Sequence, residues 1–234
     1  MLVFIHGTFV ETTSTFGKLW LNHPQRVCQL FQHYGGRVYA LEHQTLGKSP
    51  VDNALELVRA LPKGARLHLA THSRGGLVAE VLARLAHQRS FGTADEVFFA
   101  GSGYAGQRSL LQQLAAEMKA RDVHVERVVR VACPARGTLL ASRRLDAYLS
   151  VLKWALEATG VPLLPAVLDF LSEVARRRAN PEMLPGLHAM MPDTPLLNWL
   201  NAAPTAIAGE LRVVAGDMEG DSLCSWLKTL LTDA

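Results

Sequence analysis

Residues 67–84 read Leu-His-Leu-Ala-Thr-His-Ser-Arg-Gly-Gly-Leu-Val-Ala-Glu-Val-Leu-Ala-Arg, and no other stretch limits the fold so tightly. An apolar run of strand type meets a turn centred on Ser73 and passes at once into a segment with apolar residues at helical spacing. Strand and helix joined so abruptly belong to an α/β sheet. Such a turn must hold its serine in a strained conformation at the carboxyl end of the strand, and a small residue two positions later lets the helix pack closely beneath it. Gly75 and Gly76 supply that room. The usual pattern is Gly-x-Ser-x-Gly, and Thr71 stands where its first glycine would be. The plainer account of Ser73 is as a helix N-cap, a position serine favours.

The rest of the chain repeats the alternation. Candidate strands are Leu2–Ile5, 37–41, 66–70, 125–132 and 211–215, and candidate helices are 51–61, 77–88, 109–120 and 222–231. This predicts a mostly parallel sheet with helices on both faces. From 139 to 200 the pattern changes to apolar helical runs broken by Gly160, Pro162, Pro165, Pro181, Pro185, Pro192 and Pro195. That stretch reads as a helical lid or cap inserted into one domain spanning 1–234, since no repeat or low-complexity linker divides the chain.

Lys and Arg number 24 against 21 Asp and Glu, a net charge of +3, too balanced to point to nucleic acid. Cys28, Cys133 and Cys224 are odd in number and lack Cys-x-x-Cys spacing, which argues against a disulfide framework or zinc site and favours a reducing, cytoplasmic setting. The opening Met-Leu-Val-Phe-Ile lacks a basic leader segment, and no apolar run reaches the length of a membrane span. No metal and no organic cofactor is implied.

His6-Gly7-Thr8-Phe9 directly follows the first strand. With Phe4-Ile5-His6-Gly7-Thr8, Thr71-His72-Ser73-Arg74-Gly75-Gly76-Leu77 and Arg130-Val131-Ala132-Cys133-Pro134-Ala135-Arg136-Gly137-Thr138, the chain resembles the α/β-hydrolase superfamily. More narrowly it resembles bacterial lipase-like hydrolases related to GPI-inositol deacylases, including those found beside CHAT protease-like domains. Pro185-Gly186 with Leu197-Asn198 is similar to the stretch that follows the lid in such lipases. The resemblance implies an esterase or lipase acting through an acyl-enzyme on Ser73, on an ester or lipid-like substrate. It also implies an oxyanion hole made by the backbone N–H groups of Thr8 and Arg74. The Arg74 side chain is expected in solvent at the helix start.

In this fold the acid and then the base follow the nucleophile along the chain. Of the histidines after Ser73, His87 lies roughly 20 Å away along the helix at about 1.5 Å per residue, and His124 enters a strand at its amino end. His188 precedes the last visible strand, which reverses the usual order. Upstream, His6 and His43 read as turn residues and His72 as pointing away from the Ser73 face. Asp217, just past the strand 211–215, is the expected acid, with Asp221 as alternative or as a helix cap. The base is then expected beyond Ala234 in a longer protein, or at His188, and little turnover is expected of residues 1–234 alone.

Two rival readings remain. Gly101-Ser102-Gly103-Tyr104-Ala105-Gly106 fits the dinucleotide-binding Gly-x-Gly-x-x-Gly and follows Val97-Phe98-Phe99-Ala100, although the next strand ends in Val131-Ala132-Cys133-Pro134 without the carboxylate that would hold a ribose. The other is a non-catalytic interaction module that keeps the hydrolase fold and docks a partner domain through the 139–200 helices.

Overall fold

The computed structural model describes residues 1–8, 10–138, 184–202 and 209–215. Their framework is a five-stranded sheet of β1 (Leu2–Ile5), β2 (Val38–Leu41), β3 (Arg66–His72), β4 (His124–Val131) and β5 (Glu210–Val214). The order is β2-β1-β3-β4-β5 and every pairing is parallel. All five strands stand where the sequence pattern places them, within a residue or two.

Parallel neighbours need crossovers, and right-handed crossovers fix the side on which each helix lies. The chain steps from β1 outward to β2 through α1 (Thr12–Asn22) and α2 (Pro24–His33), then reverses across β1 to β3 through α3 (Pro50–Ala60). Reversal puts these helices on opposite faces, and β1 shows both. Phe4 stacks against Phe16 and Trp20 of α1, with ring centroids 4.9 and 5.5 Å apart. Val3 and Ile5, alternating with it, enter the main core with α3, α4 (Gly75–Gln88) and α6 (Ala105–Ala120). Between α4 and α6 lie the single-turn α5 (Thr93–Glu96) and two 3₁₀ turns, Val97–Phe99 and Ser102–Tyr104.

Strand order reverses between β1 and β3, and in open α/β sheets the crevice at the carboxyl ends of such a pair is where ligands bind. Leu2 pairs with His68 and Ile5 with Thr71, so the residues that follow, His6-Gly7 and His72-Ser73, emerge side by side there.

The segment expected to end the lid behaves differently from a cap. From Leu184 onward it joins the core through Leu184, Leu187, Met190, Leu196, Leu197, Trp199 and Leu200, carried on α7 (Pro185–His188) and α8 (Pro195–Asn201). The α8 side chains pack against α4 and the Val97–Phe99 turn, and residues 139–183 of the expected lid lie outside the described set. A buried polar knot fixes α8. Trp199 Nε1 donates to Asp95 Oδ1 at 2.7 Å, Arg84 lies 3.8 Å from the same carboxylate, and the Arg84 guanidinium sits 4.7 Å from the Trp199 ring centroid. Asp95→Ala would leave the Arg84 charge buried without its partner. The expected cost is about 3–5 kcal/mol in urea unfolding, whereas a loss below about 1 kcal/mol would mean that the knot is not structural.

Candidate active site

The turn after β3 has the strained geometry that its sequence implies. Ser73 adopts φ +50, a left-handed conformation costing an ordinary residue about 1–2 kcal/mol. Its N–H donates to Val131 O of β4 at 2.8 Å, and its carbonyl accepts from Gly76 N–H at 2.9 Å. No side-chain cap bond closes α4, and its N-cap residue is Arg74. The capping account of Ser73 therefore has no hydrogen bond behind it.

Steric contacts explain the glycines. A Cβ on Gly75 would sit 2.6 Å from His6 O and closer still to Ile5 O, both backbone atoms that cannot swing away. On Gly76 a Cβ would lie 2.7 Å from Cys133 Cβ, just past β4. Thr71 is tolerated in place of the usual glycine because its side chain is buried and its hydroxyl donates to Val129 O at 3.1 Å.

Gly7 faces this turn from β1. A Cβ placed there would be 2.8 Å from Ser73 Cβ, 3.2 Å from His72 Nδ1 and 3.3 Å from Ser73 Oγ, so Gly7 lies beside the serine and any side chain there would crowd it. Thr8 Oγ1 donates to Met190 Sδ at 3.5 Å, tying the same turn to the segment after α7. His6 is 1% exposed. Its ring stacks on His43 at 4.1 Å between centroids, places Nδ1 2.9 Å from Gly7 O and holds Nε2 2.9 Å from Glu42 Oε1. Burial pushes the His43 imidazole down to about 4, and the neighbouring His6 and Arg74 add to the effect against the Leu41 carbonyl and Glu42. Sequence reading passed over this cluster, treating His6 and His43 as turn residues. Its signal was a second ionisable pair, Glu42-His43, at the carboxyl end of β2 beside His6.

The Arg74 side chain reverses the expectation of a solvated arginine. It is fully buried, donating from Nε to Gly186 O at 3.2 Å and from Nη2 to Lys48 O at 2.5 Å and Asn53 Oδ1 at 3.0 Å. Burial pulls its guanidinium down to about 9 while Asp52 opposes the shift, so it stays cationic at neutral pH. Three acceptors from separate segments explain the burial, since a guanidinium has donors enough to satisfy them together. Gly186 must be glycine, because a Cβ there would lie 2.7 Å from Lys48 O and nearer to Thr45 O.

Among the described residues no histidine hydrogen-bonds Ser73 Oγ. His72 Nδ1 is buried without a partner in that set and packs beside Gly7. His188, with its pKa lowered by burial, lines a cavity of about 330 Å³ with Tyr104, Asp52 and Leu196, and Ser73 is not in its wall. His124 sits at the amino end of β4 and His87 near the far end of α4, both away from the turn. Asp217 and Asp221 lie outside the described residues. Cys133 carries a thiol that burial pushes up to about 12, so it holds its proton at neutral pH. No group of three His, Cys, Asp or Glu side chains among the described residues is placed to hold a metal ion.

The dinucleotide reading of Gly101–Gly106 loses its premise. The residues before it form a 3₁₀ turn, Val97–Phe99, instead of a strand, so no strand carboxyl end presents these glycines to a pyrophosphate. No helix among the described residues is long and apolar enough to cross a membrane.

A family model described as a domain of unknown function (DUF7379) matches residues 1–107 and 103–233. No curated protein matches the chain. Among solved structures it is similar to lipase 1 from Pelosinus fermentans, at 19% identity and a TM-score of 0.48 over 87% of this chain and 65% of that one. A Staphylococcus hyicus lipase gives 15% identity and 0.44 over 85% and 62%. Phospholipase PlaB from Legionella pneumophila gives 15% and 0.47 over 97% and 41%. The chain thus spans less than two thirds of the length of each. The strand order and crossovers themselves show a parallel, doubly wound α/β sheet with a strained strand-turn-helix at Ser73.

Two outcomes test this geometry. Gly75→Ala drives a Cβ into the β1 backbone and is expected to lower unfolding free energy by about 1–3 kcal/mol or more; an unchanged urea midpoint would contradict the contact. The second concerns His43, whose folded-state pKa lies below its unfolded value. The unfolded chain then binds more protons between about pH 6.5 and 4, so stability is intact above that window and falls on acidification through it, by up to about 3 kcal/mol. His43→Gln should flatten this loss in urea titrations, and an unaltered pH slope would contradict it.

Proposed function

Because the chain belongs to the DUF7379 domain family, whose description assigns no activity, we propose its function from the site: a serine hydrolase of carboxylic esters, of lipase or esterase type. The observation that carries the reading is Ser73 at φ +50 between β3 and α4 with Gly7 beside its side chain. A strained serine and main-chain donors at the strand ends are two of the parts that acyl transfer requires, a general base being the third.

In the proposed reaction Ser73 Oγ attacks the ester carbonyl as its proton passes to a general base. Carbonyl oxygen gains negative charge and is held by the N–H groups of Thr8 and Arg74, each donor contributing about 2.7–4 kcal/mol to the transition state. The alcohol leaves with the proton returned by the base, and water then hydrolyses the acyl-enzyme to a carboxylic acid. Asp217 is proposed to orient the base. Ester or lipid-like small molecules are the proposed substrates, in a cytoplasmic setting and without a cofactor.

Since no described histidine contacts Ser73 Oγ, turnover by residues 1–234 is expected to be slow and to rise with added imidazole, which supplies the base from solution. The test follows hydrolysis of p-nitrophenyl acetate and labelling by a fluorophosphonate, with and without imidazole, in wild type and Ser73→Ala. Ser73-dependent labelling and imidazole-accelerated hydrolysis are expected. Brisk hydrolysis without imidazole that His188→Ala removes would assign His188 as the base. Absence of any Ser73-dependent reaction would instead leave a non-catalytic interaction module, the reading that the lack of a histidine contact favours.

A further inference from the structure

We propose that Glu42 is a positioning residue for the oxyanion turn, bracing the loop between β1 and α1 at both ends. The inference rests on the esterase reading above. The loop leaves β1 at His6, passes Gly7 and Thr8, and enters α1 at Thr12. One carboxylate, from the loop after β2, meets its two ends: Glu42 Oε1 lies 2.9 Å from His6 Nε2, and Oε2 accepts from Thr12 N–H at 3.2 Å. A rigid carboxylate spanning two such contacts fixes their separation.

The His6 ring carries that constraint to the reacting atoms. The Gly7 carbonyl and the Glu42 carboxylate can only accept, so these two contacts, at 2.9 Å each, need a hydrogen on Nδ1 and another on Nε2. Gly7 C=O and Thr8 N–H belong to one trans peptide and point in opposite directions. Holding the carbonyl against the buried His6 ring therefore aims the Thr8 N–H away from His6. Gly7, where an added Cβ would lie 2.8 Å from Ser73 Cβ, sets this peptide beside the serine. His43, stacked on the other side of the ring, prevents it from tilting. Glu42 itself is well exposed, with its side chain at 62%, and meets the interior through the buried His6 ring, so its substitution should leave the fold intact. Thr12 and the two histidines hold its pKa below the usual carboxylate range against a burial effect that would raise it.

The test uses the full chain with Glu42→Ala and Glu42→Gln, with far-ultraviolet circular dichroism to verify folding. Glutamine keeps an oxygen for Thr12 N–H and offers an amide N–H to His6 Nε2, which then accepts while Nδ1 still donates to Gly7 O. In the p-nitrophenyl acetate assay with imidazole, Glu42→Ala is expected to lower kcat about 10- to 100-fold with KM within about twofold, and Glu42→Gln to recover most of the loss. Hydrogen–deuterium exchange of peptides covering residues 6–12 should be several-fold faster in Glu42→Ala and near wild type in Glu42→Gln. Unchanged exchange in Glu42→Ala, or faster exchange with wild-type kcat, would overturn the inference while leaving the esterase reading intact. If wild type shows no Ser73-dependent hydrolysis, the esterase reading fails, and exchange alone decides whether Glu42 braces the loop.

Discussion

The first turn of α4 touches the last carbonyls of β1, and the site depends on that contact. Gly75 makes it possible, since any side chain there would meet Ile5 O and His6 O. With the helix seated so low, the turn before it has little length in which to reverse, and Ser73 takes up the strain at φ +50. The parallel register of β1 with β3 keeps the two turns level and sets Gly7 beside Ser73.

Around this contact the protein invests polar groups in position. Arg74, next to the serine, donates from Nε and Nη2 to Gly186 O, Lys48 O and Asn53 Oδ1, with Nη1 left without a partner among the described residues, and so ties Gly186 to the turn. His6 is likewise buried and hydrogen-bonded to the turn instead of open to a substrate. Both side chains act on backbone geometry, and the chemistry proposed for the site is carried by main-chain N–H groups and one hydroxyl.

The sheet was legible because each strand combines an apolar run with turn residues, and because Ser-x-Gly-Gly joins strand to helix in a way few folds allow. The helices α1 and α2 went unread; α1 contains no buried residue and α2 only Val27, so neither carries the run of core residues that marks α3 and α4. Arg74 was misread because local sequence says nothing of Gly186, which reaches it from far along the chain. Residues 184–200 read as the end of a lid because apolar helical spacing is the same for a cap and for a core helix. His6 and His43 looked like turn residues until tertiary contact stacked them together.

The central claim is that Ser73, Thr8 and Arg74 form one acyl-transfer centre. A crystal structure of the protein after reaction with a phosphonate ester tests it most directly. The account predicts phosphorus bonded to Ser73 Oγ, with one phosphonyl oxygen about 2.7–3.1 Å from both the Thr8 and Arg74 backbone nitrogens. An adduct on another residue, or a phosphonyl oxygen turned away from both nitrogens, would contradict it.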